Sequence, residues 1–266
     1  AVTTSLLNSL LRALLRWGAA LVFCLPLRHR SHFWARACGM LFPLLLLAQL
    51  LDPLAQSTTL WQQQLLLLVL YVSFFALLGG MIYLCTDINK KGAMYCAVWS
   101  LLIAQCAYEG WCFLELQFAR YGHPLNMASP WAVLVQLLSG AVFFAAVYLL
   151  LARQLPYKGE YHIGPRQLFS AFFIGILFMV QAAVLDNFRA EQFPRSVIAT
   201  ILIGQFYFIT LLYFQSELFK KSAMEKEMNA LNLLYERQRQ QYQVARQNVQ
   251  IINKRCHELK VQIANL

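Results

Sequence analysis

Residues 61–85, WQQQLLLLVLYVSFFALLGGMIYLC, carry no charged side chain for 25 positions. A helix needs about 20 such residues to cross a hydrocarbon core of about 30 Å. A soluble helix of this length would show a polar stripe, and this one does not. The segment therefore reads as a membrane span. The composition extends that reading to most of the chain, because its 266 residues are 59% hydrophobic and only 13% charged, against roughly a quarter charged in soluble domains.

Further apolar segments lie at 6–27, 33–51, 93–116, 130–151, 167–185 and 197–215, each bounded by Gly, Pro or charge. The sequence therefore predicts an all-α, polytopic helix bundle of about seven spans over residues 1–215. A polar segment, 216–266, follows. The connecting loops alternate in charge. Arg28, Arg30, Arg36, Lys90, Lys91, Arg153, Lys158 and Arg166 fall on one side, and only Arg120, Arg189 and Arg195 on the other. The positive-inside bias then puts the N-terminus outside and the C-terminal segment in the cytoplasm. The net charge of +10 is spread over these loops and the tail, which implies lipid headgroups rather than nucleic acid as the basic residues' partners. The seven cysteines include no CxxC pair, so neither a metal site nor a disulfide framework is expected.

The first apolar segment is unusual in carrying Ser5, Asn8, Ser9, Arg12 and Arg16 as a polar stripe. Arg12 and Arg16, at i and i+4, share a face. Two readings are open. In one, the helix lies in the interface with its arginines among headgroups. In the other it spans, which puts Arg16 about 16 Å from the cytoplasmic end, near mid-membrane, where a charge must face protein or water. Span four carries Gln105, Glu109 and Glu115, and Glu109 would stand near the level of Arg12. The spanning reading thus yields an Arg12–Glu109 pair and an outward-facing pocket in which Arg12, Arg16, Glu109 and Glu115 bind a polar ligand. Gln136, Gln181 and Gln205 are expected to bond helix to helix, and Tyr108, Trp111, Phe113 and Phe118 to anchor an interface. The last span has no lysine for a retinal Schiff base, which excludes that class of seven-helix photoreceptor.

Beyond the spans the apolar positions alternate by three and four. Taking Cys256 as position a, the a series is Lys221, Met228, Tyr235, Tyr242, Val249, Cys256 and Ile263, and the d series Met224, Leu231, Gln238, Ala245, Ile252, Leu259 and Leu266. Such a heptad repeat specifies a coiled coil, hence a homodimer. His257 then falls at position b, facing water, with Glu258 beside it. A carboxylate accepting from one ring nitrogen keeps imidazole neutral and leaves the other nitrogen nucleophilic.

The tail INKRCHELKVQIANL, residues 252–266, resembles the phospho-acceptor box of the peptide-sensing (Agr-type) sensor histidine kinases. The stretch FCLPLRHRSHFWARACGMLF, residues 23–42, is similar to the basic, aromatic first loop of multi-span kinases with a GHKL-type ATP-binding domain. The resemblance implies a long dimerising helix leaving the last span, with His257 the phosphorylated histidine, Glu258 the acidic neighbour that assists proton removal, and Lys260 the basic residue one turn on. Glu258 departs from the more usual Asp. The resemblance further implies an extracellular ligand, a peptide in that family, and a response regulator that receives the phosphoryl group. ATP and Mg would bind a kinase domain beyond these residues, and no cofactor is expected on this chain itself. The chain would then be the receptor and acceptor half of a longer kinase. Two other readings stand beside it: a non-enzymatic scaffold that recruits a partner through the coil, and a small-solute transporter with a polar path through its spans.

Overall fold

The computed structural model describes residues 2–56, 60–120, 130–153, 163–188 and 195–264. Among them every regular element is helical: α1 Val2–Cys24, α2 Phe33–Gly39, α3 Leu41–Gln56, α4 Leu60–Cys85, α5 Lys90–Arg120, α6 Pro130–Val147, α7 Pro165–Phe188 and α8 Arg195–Ala264. A short π-helical turn, Tyr148–Ala152, closes α6. The chain divides into two compact units, Ala1–Ser216 and Glu217–Leu266. Lys158 and Arg189 of the expected loops, and Leu266 of the d series, lie outside the described residues.

In the first unit α1 and α5 are central. α1 packs against α3, α4, α5 and α6, and α5 also meets α4, α6 and α7. The core they share is built on Phe23, Tyr71, Phe74, Tyr95, Trp99 and Phe178, all essentially without solvent exposure, and the rings of Phe23 and Trp99 meet with centroids 6.0 Å apart. Among apolar helices the gain comes from van der Waals fit, so small residues mark the closest crossings. Gly18 of α1 is one: a Cβ there would stand 2.9 Å from the Phe144 ring of α6. The first helix is therefore an inner member of the bundle.

Among the described residues five stretches are long and apolar enough to cross a membrane: Phe33–Leu50, Leu65–Cys85, Lys90–Ala119, Trp131–Ala152 and one within Ala199–Lys260. α7 contributes a shorter apolar stretch, Pro165–Gln181. Many large apolar side chains of the first unit face outward, among them Leu65, Trp131, Val142 and Phe169. A surface of this kind is costly in water and suits a hydrocarbon surrounding. The apolar segment 33–51 is not one straight helix. It breaks between α2 and α3 at Met40, whose N–H bonds the Arg36 and Cys38 carbonyls. Pro43, three residues on, has no N–H to offer the Gly39 carbonyl, which explains the interruption.

The loops at one end are latched together. The Arg30 N–H donates to the Cys85 carbonyl at 3.0 Å and the Asp87 N–H to the Arg28 carbonyl at 2.9 Å. Arg36 Nη1 donates to the Leu84 carbonyl at 2.9 Å. The basic loop between α1 and α2 is thus held by the end of α4. Replacing Gly18 with Val should destabilise the bundle by about 1–3 kcal/mol through overpacking against Phe144. Gly39→Ala, where a Cβ meets nothing within 4 Å, should change stability by less than about 0.5 kcal/mol. Unfolding of the detergent-solubilised variants reads the difference.

Candidate functional site

Three helical stripes converge at the centre of the first unit. Arg12 and Arg16 stand one turn apart on α1, Tyr71 and Phe74 on α4, and Gln105, Tyr108 and Glu109 on α5, each set at the i, i+3 or i, i+4 spacing that makes neighbours on one face. Arg12 Nη2 donates to the Tyr108 hydroxyl at 2.7 Å, and its guanidinium also lies 4.7 Å from that ring's centroid. Arg16, only 7% exposed, sits 4.0 Å over the Phe74 ring. Gln105 Nε2 donates to Glu109 Oε1 at 2.9 Å, and the Tyr71 hydroxyl reaches Gln105 Oε1 at 3.5 Å. Glu109 is 1% exposed.

The physical logic is charge compensation. An isolated ion inside a bundle is driven to neutralise or to find partners. Aromatic faces supply part of that, on the order of 2 kcal/mol for a desolvated cation–π contact. The Glu109 carboxylate supplies the opposite charge in the same cluster. What the arrangement does not supply is room. The hollow bounded by Arg12, Arg16, Tyr71, Gln105 and Tyr108 measures about 10 Å³, which is space for one water at most.

The four residues expected to line one pocket therefore divide. Arg12, Arg16 and Glu109 belong to this buried cluster. Glu115 is half-buried on α5, six residues past Glu109, which on a helix is about 9 Å further along and well round the surface. The expected interfacial anchors need correction as well. Tyr108 carries the Arg12 guanidinium, and Trp111 is buried. The glutamines expected to bond across helices do so only in part: among the described residues Gln136 Oε1 and both side-chain polar atoms of Gln205 have no partner. Tyr71 and Phe74 were not singled out from the sequence. The one signal for Tyr71 is that it is a hydroxyl set in an otherwise apolar run.

A second set of polar contacts sits where the first unit ends. Gln215 Nε2 donates to the Gln167 carbonyl at 2.9 Å and to the Ser170 hydroxyl, which ties α8 to the start of α7.

In the second unit every residue from Met224 to Lys260 is exposed, His257 and Glu258 included. Glu258 Oε2 lies 3.9 Å from Arg255 Nη1. No hydrogen bond joins the His257 ring to Glu258, for a geometric reason: successive residues on a helix point about 100° apart, whereas Arg255, three residues back, shares the face of Glu258. No group of three or more His, Cys, Asp or Glu among the described residues is placed to hold a metal ion.

No family model, curated protein or solved structure matches the chain.

Removing the carboxylate with Glu109→Ala should cost about 3–5 kcal/mol of bundle stability, because it strips a buried cluster of its negative charge. The pair Arg16→Leu with Glu109→Leu should cost less than the two single changes added together. A double-mutant cycle on denaturation in detergent measures that coupling.

Proposed function

We propose that this chain is the membrane receptor and phospho-acceptor half of a dimeric sensor histidine kinase. The observation that carries the proposal is the seam of the second unit. Met228, Leu231, Tyr235, Tyr242, Val249, Ile252 and Leu259 recur at heptad spacing, and each is more than half exposed. A helix whose apolar stripe is left wet gains nothing from that stripe, and a second copy in register is what buries it. In the dimer His257, at position b, stays accessible on each helix.

In this reading α1, α7 and the five long apolar stretches make seven spans. The eight-to-three division of loop basic residues sets the N-terminus outside and the coil in the cytoplasm. An external ligand, a peptide in the kinases that the tail resembles, biases two helix arrangements that differ by a few kcal/mol. Lys220 and Lys221 lie close to the anionic inner leaflet. The chemistry at His257 is nucleophilic. A neutral ring nitrogen attacks the γ-phosphorus of ATP held by a GHKL-type domain. An N–P bond forms as the P–O bond to ADP breaks, and the other ring nitrogen gives up its proton to a carboxylate. Glu258 serves as that base once its side chain leaves Arg255 and both side chains rotate toward each other across the about 100° between them. The phosphoryl group then passes to an aspartate of a response regulator.

Two measurements test the proposal. Mild oxidation of native membranes should join two copies through Cys256, which position a brings face to face across a parallel coil. Cys256→Ser should abolish that product. Membranes carrying the full gene product and given γ-labelled ATP should show acid-labile label on this protein, and His257→Ala should remove it. Label retained in the variant refutes the acceptor role, and a coil that crosslinks without ever taking label points to the scaffold.

A further inference from the structure

Alongside the arginine cluster, a cavity of about 280 Å³ opens between α1, α5, α6 and α8, all within the first unit. Its walls are mainly apolar, with Leu15, Phe113, Phe143 and Phe206 among them. Trp111, Gln136 and Ser139 interrupt the lining with polar groups, and Trp111 and Gln136 are each 3% exposed. Among the described residues the Trp111 indole N–H has no acceptor and the Gln136 Oε1 has no donor. A buried polar atom with neither water nor partner costs about 1–3 kcal/mol. Here an unused donor and an unused acceptor belong to side chains that line the same cavity. The Ser139 hydroxyl, also in the lining, is already spent on the Gln136 main-chain carbonyl at 3.0 Å.

We propose that this cavity is a binding site for a small, largely apolar molecule that carries both a hydrogen-bond acceptor and a donor, as a hydroxyl does. The acceptor would take the Trp111 N–H and the donor would give to Gln136 Oε1. The volume suits a body on the order of ten heavy atoms, taking the roughly 30 Å³ of a liquid water as the unit. Two of the wall helices, α6 and α8, turn large apolar side chains such as Leu138, Val142 and Ile203 outward, so the natural route in is lateral, from the bilayer. A phospholipid acyl chain could fill the same volume but would leave both polar atoms unanswered, and for that reason it is the competing occupant rather than the proposed one. The site stands whether or not His257 accepts phosphate.

Gly110 supplies the blocking variant. A Cβ there meets nothing within 4 Å, and Gly110 lines the cavity, so Gly110→Leu puts its side chain into the open space. The test uses the full chain in lipid nanodiscs with a diazirine-bearing octanol as photoprobe and peptide mapping as readout. Label is expected on residues 110–114 of α5 and 136–143 of α6. Unlabelled 1-octanol should compete about tenfold better than n-octane at equal membrane mole fraction, reflecting the two hydrogen bonds. Gly110→Leu should abolish this label while its melting temperature stays at or above that of the parent. Gln136→Leu should keep the cavity and lose the preference for alkanol over alkane. The proposal is overturned if octane competes as well as octanol in the parent protein. It is equally overturned if the label spreads over lipid-facing residues and neither variant changes it.

Discussion

Two guanidinium groups on the first helix must be kept away from hydrocarbon, and much of the bundle is arranged around that need. An arginine near the middle of an apolar assembly is stable only where protein supplies counter-charge, hydrogen-bond acceptors or π faces. α4 provides Phe74 beneath Arg16, and α5 provides Tyr108 beneath Arg12 and Glu109 beside them. The two helices that give these groups are among those packed most closely on α1. The arginine-bearing helix is consequently enclosed by its neighbours, whereas α6, which carries no charge, turns Trp131, Leu138 and Val142 outward. The distribution of charge settles which helix is inside and which faces the surroundings.

The two units obey different rules. In the first, helices cross closely at small residues around an aromatic core. The second has no interior of its own. Its helix is good at every position for local reasons, rich in Gln, Glu, Lys, Arg, Leu and Ala with neither Pro nor Gly after Gly204, yet its apolar stripe is uncovered. Local propensity makes the helix, and only another molecule can use its seam.

Much of this was readable from the order of residues, and the failures have physical causes. Uninterrupted apolar runs such as 65–85 announce themselves, since length and hydropathy are one-dimensional properties. The break at Met40 was missed because Pro43 sits in the first turn of α3, where a proline is as much a helix starter as a helix stop. Arg12, Arg16 and Glu109 were legible as costly groups needing company. Their company was only half legible: Tyr71 and Phe74 come from a helix whose sequence shows no face, so nothing marked which side of α4 would turn inward. Glu115 was grouped with Glu109 because both lie on the same span, and the 100° step per residue takes it elsewhere. The cavity at Trp111 and Gln136 was not foreseeable at all, because unfilled space is a property of four helices together.

The π-helical turn at Tyr148–Ala152 has a consequence for how this chain can tolerate change in length. A π turn holds one residue more than an α turn of similar rise. Loss of a single residue from this stretch would let it relax into ordinary α geometry, with the face of α6 that meets α1 undisturbed upstream. The same deletion anywhere in α4 or α5 would swing every later side chain by about 100° and pull the polar groups of the bundle out of alignment. The end of α6 is thus the place in the bundle where evolution can add or drop a residue most cheaply.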